Sequence, residues 1–273
     1  MLALSEMQGL WSRSLLVGAD GKRDTTTLVW WLQGPTLFAD LRQPADRPSF
    51  GGVRHLGDLT GEQLAWLAEQ EGFAGRLEKD GEYFVWRRLL DFQPPSPTPD
   101  SGRLWLEGET MIEEGRYSPY IEHWHRDDEV TSPSAAARLR DSISGAEGFL
   151  VRVGTTFMYA RGGSSGSRPA GTRLSEGLDK AASLEAAREL VDCEISIGSV
   201  EGGAWTIARS SLPYREGENL DPHFGPAEDG CTTADVAADG SAMRRTWRVM
   251  ELEGEGAALG DIAAFEAEFA THG

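Results

Sequence analysis

The chain has 273 residues, 40% of them hydrophobic and 9% aromatic, enough to build a substantial core. Its 26 Lys and Arg against 44 Asp and Glu leave a formal net charge of −18 at pH 7. That balance argues against nucleic acid or an anionic membrane surface as partner, because both need a dense basic face.

The N-terminus, Met1-Leu2-Ala3-Leu4-Ser5-Glu6-Met7, has neither the basic start nor the apolar run of a secretion signal. Nowhere does an apolar run approach the roughly 18 residues of a spanning helix. The sequence therefore predicts a cytoplasmic protein. Two β-rich segments come first, 25–32 (TTTLVWWL) and 36–41 (TLFADL), separated by Gln33-Gly34-Pro35. Thr60-Gly61-Glu62-Gln63 is a capping box, and Leu64, Leu67 and Ala68 then repeat at helical spacing until Gly72. Further strands are expected over 83–90, 103–106 and 120–124, followed by a break from Asp127 to Pro133. Beyond it, strands over 149–153 and 156–160 precede a Gly/Ser-rich loop over 162–171. A second helix starts at Ser183, strands follow over 194–197, 205–208 and 246–252, and a weaker third helix over 262–269 ends the series. The two cysteines, Cys193 and Cys231, are too few for a disulfide framework and read as packed thiols.

A faint internal repeat organises these elements. Gly34-Pro35-Thr36-Leu37-Phe38 resembles Gly154-Thr155-Thr156-Phe157-Met158, 120 residues on. The helix starts at Thr60 and Ser183 are 123 apart, as are Trp124 and Trp247. Trp86 with Pro94 matches Trp205 with Pro213, both 119 apart. Four matches in one order at nearly one offset predict two copies of one unit, 1–130 and 131–273. Short strands broken by 33 glycines make each unit a β-barrel or sandwich.

The segments TTTLVWWLQGPTLFADLRQP, EGFAG, DFQPPSPTPDSGRLW, MIEEGRYSPYIEHWHR and SSLPYREG resemble the Hri-type family of fungi and bacteria. The resemblance implies an all-β chain of two lipocalin-like, calycin-like antiparallel barrels in tandem, with a few short helices. The activity of that family is largely undefined, so the resemblance supplies architecture and no mechanism.

Chemistry must then be sought in the residues. Gly-x-Ser-x-Gly, the P-loop, the dinucleotide-binding fingerprint and the kinase signatures are all missing, so neither a nucleophilic serine nor a cofactor is expected. His123 and His125 share one face of a strand, and with Glu129 they resemble the first half of a cupin metal motif. The simpler alternative puts Glu122, Trp124 and Arg126 on one face and two hydrogen-bonded or solvated histidines on the other. Glu107, Glu109, Glu113, Glu114 and Glu122 crowd one region and read as a solvated acidic surface. Of the nine tryptophans, Trp31 shares a face with Val29, opposite Trp30 and Leu28. Arg87 and Arg88 beside Trp86 are placed to close a barrel over a tryptophan. Trp31, Trp86, Arg88, Tyr120 and Trp205 are therefore the candidate ligand-binding residues. The favoured reading is a non-enzymatic protein that binds a small apolar or amphipathic ligand in a barrel, or a protein partner across the two barrels. The alternative is a metal-dependent enzyme built on His123 and His125.

Overall fold

Strand β3 (Leu28–Gln33) carries large side chains on both faces, which forces it between two apolar layers. Val29 and Trp31 enter the interior of one barrel, while Trp30 packs outward against the core that joins it to a second sheet. The computed structural model describes residues 2–127, 130–163, 172–225 and 230–260. The helix expected over 262–269 and most of the loop over 162–171 lie outside them.

The first sheet contains β1 (Gly9–Val17), β2 (Arg23–Asp24), β3, β4 (Leu37–Gln43), β5 (Glu71–Asp80), β6 (Tyr83–Asp91), β7 (Asp100–Glu107), β8 (Thr110–Gly115) and β9 (Ile121–Arg126). All neighbours are antiparallel, and β9 returns to pair with β1, so eight strands close into a barrel with β2 as a flap on its rim. The second sheet contains β10 (Ser134–Asp141), β11 (Glu147–Val153), β12 (Thr156–Arg161), β13 (Glu194–Glu201), β14 (Ala204–Ser210), β15 (His223–Phe224), β16 (Cys231–Val236) and β17 (Ala242–Gly254). It curls, in the order β14-β13-β12-β11-β10-β17-β16-β15, without direct closure between β14 and β16. Segment 217–220 bridges that gap. Leu220 N donates to Trp205 O on one side, and Ala234 N donates to Leu220 O on the other. The edges of an open sheet are thereby satisfied.

Both sheets repeat one plan down to single rungs. In each, the fourth strand of the plan (β5, β13) bulges against the next at a glycine, Gly75 or Gly198. A Cβ there would lie 1.9 Å from Arg87 O or 2.1 Å from Thr206 O, so no larger residue fits. The rung after the bulged pair is also shared, with Phe92 N donating to Gly72 O and Ser211 N to Ile195 O. Trp124 and Trp247 occupy the same place, each donating its indole N–H across to the neighbouring strand, to Glu113 and Thr233. Helix α1 (Gly61–Ala68), capped by Thr60, and α3 (Leu184–Leu190), capped by Ser183, are the paired helices. Gly72 belongs to β5 and does not end α1. A Cβ at Gly72 would meet Asp40 O at 2.7 Å and Ile195 at 2.8 Å, which is why this close crossing needs glycine.

The barrels share a core. Leu32, Leu37 and Leu41 of the first pack with Ala136, Val151 and Ile195 of the second, and α1, α2 (Leu174–Asp179) and α3 contribute Leu64, Leu67, Leu174 and Leu190. A buried amide chain crosses it. Gln43 Nε2 donates to Gln70 Oε1 at 2.8 Å and to Ser210 O at 3.0 Å, and Gln70 Nε2 reaches Ser211 O at 3.0 Å. Such buried groups must be satisfied together, so they fix the register between the two sheets.

Ala substitution at Gly75 or Gly198 is expected to lower unfolding stability by about 1–3 kcal/mol, the usual cost of forced overpacking. Gly61→Ala, where a Cβ meets nothing within 4 Å, should leave it unchanged or raise it. Denaturant unfolding of the three variants measures both.

Candidate functional site

The interior of the closed barrel has two halves. Toward one end Trp11, Phe38, Leu77, Phe84, Leu104 and Met111 fill it with apolar packing. Toward the other, the alternation that brings Trp31 inward also brings in Asp40 and Arg42 of β4, Arg88 of β6, Glu113 of β8 and Glu122 of β9. These polar residues and the indoles of Trp31, Trp86 and Trp124 line a cavity of 320 Å³. Trp31 is its floor, edge-on to Trp86 at 5.7 Å and to Trp124 at 5.6 Å between ring centres. The Trp31 indole N–H has no hydrogen-bond partner among the described residues, although the side chain is only 1% exposed.

Almost every charge in the cavity is matched. Arg13 bonds Glu122 at 2.6 Å and Asp24 at 3.0 Å. Hydrogen bonds from Thr26 and Thr27 and the Arg13 charge oppose the burial of Asp24 and bring its carboxyl down to about 2. Arg42 bonds Asp40 at 2.8 Å and lies 3.7 Å from Glu122. Burial nevertheless raises Asp40 above the ordinary range, with Arg42 pulling the other way. Arg88 Nε donates to Asp100 at 3.0 Å, and its guanidinium stacks 3.4 Å from the ring centre of Phe73.

Glu113 is different. Its oxygens accept from Tyr120 Oη at 2.7 Å and Trp124 Nε1 at 3.1 Å, both neutral donors. No Lys or Arg stands within ion-pair distance of it among the described residues. It is directly opposite Glu122 in the β8–β9 register, and each is only 4% exposed. Burial first, then the charges of Glu122 and Asp100, push the Glu113 carboxyl well above the ordinary carboxylate range. Gly115 makes the arrangement possible, because a Cβ there would lie 2.3 Å from the ring of Tyr120. A second hollow of 480 Å³ under the proline-rich loop 94–99 shares Trp86, Arg88, Asp100 and Tyr120 with the cavity and continues it outward.

In the second barrel the corresponding end is occupied. Two residues beyond the shared rung, Pro213 corresponds to Pro94, and the 3-10 turn Pro213–Arg215 sends Arg215 inside. Its guanidinium bonds Glu194 at 3.1 Å and Ala234 O at 2.8 Å. Beside it Arg161 bonds Asp192 at 2.9 Å and Asp235 at 3.2 Å, and Arg245 also bonds Asp235. Burial would raise Asp235, but Arg161, Arg215 and Arg245 hold it below the ordinary range. The residue in the place of Arg215 in the first copy is Ser96, which is too short to plug the mouth.

Trp31, Trp86, Arg88 and Tyr120, singled out from the sequence, thus line one cavity. Trp205 is the repeat counterpart of Trp86 and lines a separate 350 Å³ hollow, where it contacts Phe157 at 5.1 Å and Arg152 at 5.4 Å. The expected closure over a tryptophan is corrected. Arg88 covers Phe73, and Arg87 points outward to Glu78. The reading of the acidic run as solvated surface is corrected for Glu113 and Glu122, whose parity on β8 and β9 matches that of Trp124 and turns them inward. His123 and His125 share the outer face of β9, and His125 Nε2 contacts Ser14 Oγ at 2.7 Å. Glu129 lies outside the described residues, and among those described no three His, Cys, Asp or Glu are grouped to hold a metal ion. Cys193 and Cys231 are buried, and burial pushes the Cys231 thiol up to about 12, where it stays protonated. No helix among the described residues is long and apolar enough to cross a membrane.

No family model and no curated protein matches the sequence. Among solved structures, an uncharacterised protein from Saccharomyces cerevisiae is similar, with 12% identity, a TM-score of 0.50, and 90% of this chain and 98% of the other covered. At that identity the likeness shows the fold alone.

Arg215→Ala leaves buried Glu194 with only the longer 3.4 Å ion pair to Arg161, and is expected to destabilise the protein by about 3–5 kcal/mol. Ser96→Ala, at the corresponding place by the open cavity, should stay within about 0.5 kcal/mol of the parent. Chemical denaturation distinguishes the two.

Proposed function

We propose that this chain is a non-enzymatic binding protein that takes a small amphipathic molecule into its closed barrel. The observation that carries the reading is the contrast between the copies. One unit seals its charged end with Arg215, and the other keeps the same end open around indoles and polar groups. A largely pre-formed cavity with aromatic walls and a few convergent polar groups is the usual form of a small-molecule site. The volume of 320 Å³ suits an organic molecule better than a metal ion. The unpartnered Trp31 N–H leaves one donor for an acceptor on that molecule. Membership of the Hri-type family and a lipocalin-like lineage are part of the same proposal, supported by the quoted segments and by the two-barrel plan.

The test is native mass against denatured mass of the purified protein, with tryptophan emission followed across a panel of small amphipathic molecules. The reading predicts a non-covalent organic passenger, or a ligand that shifts emission, and loss of either in Trp86→Ala. A bare-chain mass together with unresponsive emission across the panel contradicts it.

A further inference from the structure

We infer that the molecule held in this cavity is an organic cation, its charge set against Glu113 among the indoles of Trp31, Trp86 and Trp124. The inference rests on the reading of the cavity as a ligand site and adds the chemical class. Asp40, Asp100 and Glu122 already have arginine partners, so a ligand cation gains least from them. Glu113 has only the neutral donors of Tyr120 and Trp124. It is therefore the carboxyl whose charge a ligand would complete. A cation placed over indole faces is attracted by their quadrupoles, most strongly where water is excluded. A carboxylate and aromatic walls in one buried cavity combine both attractions. The net charge of −18 further favours the approach of cations over anions.

The pairing has a proton cost that makes it testable. The groups facing Glu113 are Glu122 on β9, Asp100 on β7, Tyr120 in the turn before β9 and Arg42 on β4, with Asp40, Arg88 and Arg13 farther round the same wall. Burial and the two nearby carboxylates favour the acid form of Glu113 in the empty site, against the Tyr120 hydrogen bond and the Arg42 charge. Binding a cation ionises Glu113 and releases one proton to water. Affinity therefore rises with pH until Glu113 titrates in the unliganded protein.

The probes are benzyltrimethylammonium, benzyl alcohol and benzenesulfonate, whose charges are fixed across pH 6–8, with tryptophan emission as the readout. The ammonium probe is expected to bind best and to tighten about tenfold per pH unit below the Glu113 titration. Glu113→Gln should weaken it about tenfold or more and flatten the pH dependence. Tyr120→Phe, which removes a donor to the ionised carboxyl, should move the curve to higher pH and guards against a folding defect in the first variant. If benzyl alcohol or benzenesulfonate binds as well as the ammonium probe, or if Glu113→Gln keeps the pH slope, the cation inference is overturned while the ligand site stands. If none of the three binds, the cation inference is overturned, and the ligand site falls with it only where the native mass also shows a bare chain.

Discussion

A charged group inside a β-barrel must find its counter-charge there, because desolvation costs several kcal/mol per ion and water is not at hand to repay it. Both barrels of this chain bury carboxylates at the same end, and they meet the constraint differently. In the second, Arg161, Arg215 and Arg245 converge on Glu194 and Asp235, and the network fills the space it occupies. In the first, arginines match Asp40, Asp100 and Glu122 but not Glu113. Similar burial therefore has opposite effects. Asp235, facing three arginines, is held below the ordinary range, whereas Glu113 is pushed well above it and Asp40, bonded to Arg42, is also raised. The remaining mismatch and the remaining space coincide, which is what makes this end of the closed barrel the candidate site and the other a plug.

The shared core turns that local difference into a fixed geometry. The β3–β4 turn, α1 and the Gln43–Gln70 chain are clamped against the second sheet, and Glu253 accepts from Leu37 N and Thr36 at the same turn. Strand β4, which carries Asp40 and Arg42 into the cavity, thus runs between the site on one face and the second barrel on the other. The second unit serves the first as a wall, whatever else it does.

Much of this was legible in the sequence because it depends on local pattern. The alternation of 25–32 put Trp31 and Val29 on one face, which the barrel turns inward, and the recurring Trp86-Pro94 and Trp205-Pro213 spacing marked the same corner of each unit. Strands β1, β8 and β16 were not foreseen, and neither were β5 and β10. Of the last two, β5, EGFAGRLEKD, is charged and glycine-rich, and β10, SAAARLRD, has the composition of a helix. Tertiary packing on both faces overrides those preferences. Glu113 was passed over among 44 acids because composition favours a surface role for any single one. Its period-two parity with Met111, which packs beside Trp124, was the signal that would have turned it inward. The plug was invisible for another reason. That Arg215 reaches inside while Ser96 does not depends on where a turn points, and no periodicity reports that.

The central claim is that the barrel does not compensate a charge on Glu113, so its carboxyl holds its proton to higher pH than the paired carboxylates around it. Carbon-detected NMR titration of the glutamate carboxyls in ligand-free protein tests it most directly. The account predicts one resonance, lost in Glu113→Gln, with a midpoint well above the ordinary value of about 4.3. A Glu113 carboxyl that titrates together with the exposed glutamates would contradict it.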